Sequence, residues 1–497
     1  MALLGIDLGT SGVKAVVINE ATQVLGVGFR EIPMEVPAPG RAEQDPSAWW
    51  SNTVMAVRQA LHEAGKPEVS AIGLDGHMHG GVLLDAADRP LGRAITWADQ
   101  RSAELIPELE AEIGIETFLA VAGTRPAAGF MGPTFAWLRR HEPERLDAAA
   151  TFVLPKDYLR LQLVGTVATD ISDASGTALF DVGARTWSTE LTERQGASPQ
   201  ILPPLLESAD MAGRLTPAAA RELGLPAGIA VAAGCSDQCA QATALGLVDR
   251  TSGSVALGTG GQIVVVTRQP MPDPQGRIHT FCHATPQRWY QLGATLSAGL
   301  SLRWLRDRLR LTSSQPYAAM GTSASQVPPG SDGLVFIPYL VGERSPIMEP
   351  EATGAFVGLA YGHRRSHLTR AVMEGVACSL RATRDAVVDA GGRCDRWLAV
   401  GNGLASPLWR SIVADVYDEP LHFVAAPERP AVGAALIGGI AAGTYADYEQ
   451  AADVARPPLH TTEPNPERVR IYEDLYQRFS RLSVLLLEEG RTARLKG

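Results

Sequence analysis

The chain opens on two apolar stretches, residues 4–8 and 13–17, around the turn Gly9-Thr10-Ser11-Gly12. Such runs flanking a glycine-rich turn predict a β-hairpin. The phrase recurs half a chain later, where residues 254–257 and 262–266 flank Gly258-Thr259-Gly260-Gly261. Between and beyond the hairpins, helical and strand periods alternate. Asp45-Pro46-Ser47 caps a helix that stops at Gly65, and residues 69–75 read as a strand. That strand feeds the polar turn Gly76-His77-Met78-His79-Gly80-Gly81 and a short strand at 82–85. Turns are expected at Gly165-Thr166 and at residues 173–177, a strand at 229–233 and a small-residue helix at 239–247. Farther on, Ser366 is placed as the cap of a helix ending at residue 390. Residues 398–400 form a strand feeding Gly401-Asn402-Gly403, and Ser406-Pro407 starts another helix. The tail at 467–489 spaces leucines and charges helically. This alternation implies an α/β fold with ligand groups at strand ends.

The duplication predicts two domains, residues 1–245 and 246–497, gripping one nucleotide between their hairpins. Glycine's access to positive φ is expected to turn successive backbone N–H groups into one concavity, with Thr and Ser hydroxyls as further donors to an anion. Only the first copy carries an acid, Asp7, while Asp237 follows the 229–233 strand. Phosphoryl transfer needs cradled phosphates, Mg²⁺ and a carboxylate to take the acceptor's proton. Asp7 suits the Mg²⁺ side, through water, and Asp237 suits the base. The competing reading for each is an Asx-turn or a cap. His77 and His79 share one turn with no acidic or cysteine partner nearby, which favours hydrogen bonding of ligand hydroxyls over metal ligation. Trp97-Ala98-Asp99-Gln100-Arg101 offers an apolar face, an acceptor and a fork donor, as a polyhydroxyl site would, or else a surface helix start.

Net charge changes the partner expected. At −10 over 497 residues, with pI near 5.6 and no Lys/Arg cluster, the chain is a poor match for nucleic acid or an anionic membrane. The small-apolar run at 431–443 falls short of the roughly 20 residues of a membrane span and reads as a buried helix. No basic, apolar leader precedes Asp7, and five cysteines form no disulfide framework, so a cytoplasmic location is expected. Cys235 and Cys239 read as small buried side chains rather than half a zinc site.

Taken together, the motifs resemble the FGGY family of carbohydrate kinases, and within it the xylulose kinases. Residues 5–14 are similar to the family's opening phosphate motif and Met78-His79-Gly80 to its sugar turn. The likeness continues through Pro155-Lys156-Asp157-Tyr158-Leu159-Arg160-Leu161, residues 170–177, Phe281-Cys282-His283-Ala284, residues 338–344 and residues 354–359. The resemblance implies two ribonuclease-H-like domains of the actin/Hsp70-type ATPase fold, with an interdomain active-site cleft. It implies Asp237 as catalytic base, Asp7 as second carboxylate, and Met78 and His79 as sugar contacts, joined by Trp97, Asp99 and Arg101 from the segment above. Thr10, Ser11, Lys14 and Thr259 match the phosphate region, and Gly299, Arg303, Gly403 and Ser406 the nucleotide side. The implied reaction is ATP plus D-xylulose to ADP plus D-xylulose 5-phosphate. Departures cluster near the sugar: His77 replaces Gln, Ala98 replaces Asn, Gln238 replaces Asn, and Thr134 replaces Lys. Other ketopentoses or polyols therefore stay open as substrates, as does homodimerisation. An actin- or chaperone-like ATP switch is the rival reading, but it has no use for the His77–Gly80 turn or for Asp237.

Overall fold

The computed structural model describes residues 1–249, 252–310, 315–425, 429–456 and 458–494. In the first half, one sheet contains β1 (Ala2–Gly9), β2 (Gly12–Asn19), β3 (Val24–Glu31), β4 (Val69–Gly76), β5 (Met211–Arg214), β6 (Ala230–Ala232) and β7 (Cys235–Ser236). Its order is β5-β6-β4-β1-β2-β3, with β7 also on β4. The second half builds β8 (Gly253–Leu257), β9 (Gly261–Thr267), β10 (His279–Cys282), β11 (Trp289–Thr295), β12 (Trp397–Val400), β13 (Leu421–Val424) and β14 (Leu459–Thr462). Their order is β10-β11-β9-β8-β12-β13-β14.

The sheets share one plan. β1 runs antiparallel to β2 and parallel to β4, as β8 runs antiparallel to β9 and parallel to β12. The outer pairs also correspond in sense: β2–β3 with β9–β11, β4–β6 with β12–β13, and β6–β5 with β13–β14. Strand β10 is an addition at the edge of the second sheet.

Helices α1 (Pro46–Glu63), α2 (Pro155–Val164), α3 (Asp237–Ala244), α4 (Gly299–Arg308), α5 (Arg365–Asp389), α6 (Pro407–Tyr417), α7 (Arg429–Ala441) and α8 (Pro466–Arg494) complete the main frame. Period-2 alternation sends Leu4, Ile6 and Leu8 toward Trp49, Ala56 and Ala60 of α1, and Leu3 toward the opposite face. On that opposite face lies α7, although its residues come from the second half: Ala431, Ala435 and Leu436 pack with Leu3, Val16 and Ala71. The approach is backbone on backbone, since a Cβ on Gly5 would stand 1.8 Å from the Ala431 carbonyl oxygen, and one on Gly73 1.8 Å from that of Ala434. Gly433 in turn meets the Ala240 carbonyl of α3.

Most element ends fall where caps place them. Asp45 accepts from the Ser47 N–H at the start of α1, and Ser406 from the Trp409 N–H at the start of α6. Helix α5 departs from expectation. It begins at Arg365, with Ser366 already inside the first turn, and the His367 imidazole accepts from the Arg364 N–H in place of a serine cap. Residues 171–177 form consecutive helical turns rather than a plain turn, tied by the Ser175 and Thr177 hydroxyls to the carbonyls of Ser172 and Ala174. Among the described residues no helix is long and apolar enough to cross a membrane.

Candidate active site

Three strands of the first sheet end at one level. Leu8 of β1 pairs with Gly76 of β4, and Gly76 with Ser236 of β7, so Gly9, His77 and Asp237 leave the sheet side by side. One step back Asp7 pairs with Asp75, and in-register neighbours on parallel strands share a face. Asp75 is wholly buried and neither carboxyl oxygen has a hydrogen-bond partner. Burial, then the charges of Asp7 and Asp237, push its carboxyl well above the usual range. Burial raises Asp7 too, with Asp75 and Lys14 pulling it back. Asp237 is pushed up to about 7, by burial first and the Asp7 charge second. Buried carboxyls that feel one another's charge compete for ionisation.

Asp237 is the first residue of α3, and its supports are rigid. The Ser236 hydroxyl accepts from the Cys239 N–H at 3.4 Å, and the Ser236 N–H donates to the Ser172 hydroxyl at 3.1 Å. Ser172 donates to Asp170 at 2.6 Å, and Asp170 is paired with the fully buried Lys156 at 2.9 Å. Asp237 Oδ1 has no partner of its own.

Beyond β4 the chain makes its polar turn. His79 holds φ = 80°, its Nδ1 lies 2.7 Å from the Gly176 carbonyl oxygen, and its ring stacks on Phe130 with centroids 4.1 Å apart. A carbonyl only accepts, so Nδ1 carries the proton and Nε2 is an acceptor. Burial holds His79 down at about 3, keeping it neutral. Met78 is buried, its sulfur 3.7 Å from the Tyr290 hydroxyl, which also feels the charge of Asp237. His77 is buried against the edge of Trp49 with neither ring nitrogen bonded, and burial lowers it to about 4.

The segment at 97–101 divides in two. Trp97 is partly exposed, and its indole N–H donates to the Thr10 hydroxyl at 2.8 Å, linking this segment to the first hairpin. Asp99 and Arg101 do not reach an open pocket. Both are buried, bonded to each other, to Glu43 and to the Ala42 N–H, with Arg101 over the Trp137 ring. A buried acid and guanidinium pair with each other, while Arg101 Nη1 stays buried without a partner.

In the hairpin turns, Gly9, Gly12, Gly258 and Gly260 all lack the left-handed φ expected of them. Their glycines serve close approach. A Cβ on Gly12 would stand 2.4 Å from the Arg30 carbonyl oxygen, and one on Gly260 2.6 Å from that of Thr295. Thr10 is partly exposed and Ser11 exposed at the first turn, Lys14 lies opposite Asp7 on β2, and Thr259 is exposed at the second turn. The Thr259 carbonyl accepts from the N–H groups of Ala298 and Leu300, which ties this turn to the start of α4.

Beside that turn lies a cavity of about 310 Å³ lined by Gly258, Thr259, Gly299, Arg303, Gly403 and Ser406, among others. All five second-half nucleotide residues expected from the sequence line it, joined by Tyr317, Asn402 and Trp409. A Cβ on Gly403 would stand 2.1 Å from Leu257 Cδ2, so a larger residue there would have to displace that side chain.

Asp75 is the residue that sequence reasoning passed over as a strand end. The signal was its position: β1 and β4 each carry an aspartate shortly before a glycine-rich turn.

Comparison with known proteins agrees with this geometry. Residues 2–246 match the FGGY family of carbohydrate kinases, N-terminal domain, and residues 253–442 match its C-terminal domain. The chain is 35% identical over 486 residues to the xylulose kinase of Escherichia coli, covering 97% of this chain and 99% of that one. It is 28% identical to the gluconokinase of Bacillus subtilis, covering 97% and 96%. The xylulose kinase structure from Rhodospirillum rubrum superposes with a TM-score of 0.92 at 30% identity, covering 99% of this chain and all of that one. With both domains matched and two sheets on one plan, the chain belongs to the FGGY family of carbohydrate kinases and is an ATP-dependent sugar kinase.

Proposed function

We propose that this kinase phosphorylates the terminal hydroxyl of D-xylulose, giving D-xylulose 5-phosphate, with Asp237 as general base. The observation that carries the reading is the common level at which β1, β4 and β7 end. It sets Asp7, the His77–His79 turn and Asp237 along one edge of the cleft. A carboxylate that titrates near neutrality is suited to accept a hydroxyl proton, because a base works best with a pKa close to the operating pH. His79 Nε2 accepts a substrate hydroxyl, and Tyr290 and Met78 form the apolar wall that keeps water from competing with the sugar.

Mg²⁺ fits this corner as a partly hydrated ion. Among the described residues no three His, Cys, Asp or Glu side chains converge as a metal-binding group. The protein therefore offers only part of a coordination shell, chiefly through Asp7, with unpartnered Asp75 behind it. That suits an ion that keeps several waters and binds phosphate oxygens. When bound, Mg²⁺ neutralises phosphate charge in transfer. Thr10, Ser11, Lys14 and Thr259 then hold the triphosphate, and the cavity between Gly299, Arg303, Gly403 and Ser406 holds the nucleoside.

A coupled ADP-release assay over D-xylulose, D- and L-ribulose, L-xylulose, xylitol, glycerol and gluconate tests the assignment. D-Xylulose is expected to show the highest kcat/KM. Preference for gluconate, the substrate in the name of one relative, would overturn it.

A further inference from the structure

The second half sends one cation toward the sugar turn that nothing above employs. Arg344 follows Glu343 on a segment pinned to the end of β11: Leu296 N–H donates to Glu343 Oε1 at 2.8 Å, and Ser345 N–H to the Ala294 carbonyl at 2.8 Å. The Glu343 carboxylate also accepts the Arg344 backbone N–H, and its charge acts on the guanidinium without a hydrogen bond to it among the described residues. Among the described residues the Arg344 side chain has no hydrogen bond or ion pair at all, yet it is only partly exposed. Burial lowers its pKa, the mark of a charge held away from water, and its field is felt by His79 and His279.

His279 completes the group. Its Nδ1 lies 2.7 Å from the Thr124 hydroxyl, whose single proton is directed to the Arg125 carbonyl. Nδ1 is therefore the donor, and the buried Nε2 is left as an acceptor without a partner. Its ring stacks on Phe281, which also neighbours His79. Two neutral imidazole acceptors and one unpaired guanidinium thus meet where the halves face each other.

Resting on the ketose reading above, we propose that Arg344 is a specificity residue. Its guanidinium donates to the carbonyl oxygen at the end of the ketose remote from the phosphorylated hydroxyl, while His79 and His279 accept the neighbouring hydroxyls. A carbonyl is acceptor-only and matches a donor-only fork, whereas the hydroxyl of a reduced polyol brings a proton that the fork cannot take.

The test compares wild type, R344M and R344K by ADP release on D-xylulose and xylitol, with KM for ATP measured alongside. Losing a hydrogen bond to a charged donor lowers kcat/KM for D-xylulose by about 10- to 100-fold. R344M is expected to show that loss, a smaller loss on xylitol and an unchanged KM for ATP, with R344K in between. Equal losses on both substrates, or a rise in KM for ATP matching that for sugar, would overturn the assignment. Should R344M fail to fold, R344K decides alone by the same ratio. Wild type inactive on every ketose overturns the substrate reading itself, an outcome separate from ketose turnover that is indifferent to Arg344.

Discussion

Asp237 carries a tension that can be measured. Its carboxyl is raised from the ordinary 3.8 to about 7, so the folded state binds this proton more tightly than the unfolded chain does. Stability from this group is present at low pH and is lost as pH rises through 7, while the proposed base function would appear over the same interval. We expect kcat/KM to climb about tenfold per pH unit below pH 6 and to level above pH 8. A pH–rate profile flat from 5.5 to 8.5 would remove Asp237 as the titrating base. At this scale the sequence was partly legible. Asp7 and Asp237 stood in recognisable motifs, and His79 in its turn. The mutual pairing of Asp99 and Arg101 was not legible, because a donor and an acceptor two residues apart satisfy each other as readily as they satisfy a ligand. Arg344 and His279 drew no notice as single residues, since they stand far apart in sequence and face His79 of the other half only once the chain is folded.

At the scale of elements, the echoed hairpins anticipated a common plan and the sheets share it through six corresponding strands. Local signals were sufficient for this: apolar alternation, prolines at helix starts and serine or aspartate caps act within a few residues. The placement of α7 was not legible. Its small apolar composition marks it as buried, but no local pattern says that a second-half helix lies on the first half's sheet. Gly5 and Gly73 were the available sign, being glycines inside otherwise apolar strands, where they mark close approach of another backbone. Gly5→Ala should lower stability by about 1–3 kcal/mol, the usual cost of overpacking, because its methyl collides with the Ala431 carbonyl rather than a movable side chain. Thermal unfolding reads the change, and an unaltered Tm would show that α7 does not clamp the sheet as described.

For the molecule as a whole, the residues proposed to contact sugar, to act as base and to hold the nucleotide are divided between two sheets. Connections spanning them include α7 on the first sheet, the Cys282 N–H donating to the Ser175 hydroxyl at 3.0 Å, and the Trp289 indole donating to the Val182 carbonyl. Substrates that contact both halves favour closure, and closure protects ATP from water. Solution scattering should show a smaller radius of gyration with D-xylulose and a nonhydrolysable ATP analogue than without them, and an unchanged radius would count against closure. The most direct test of the whole account is kcat of Asp237→Asn on D-xylulose, measured by ADP release. The account predicts a fall of about 10²- to 10⁴-fold with folding retained, whereas turnover near that of the wild type would contradict it.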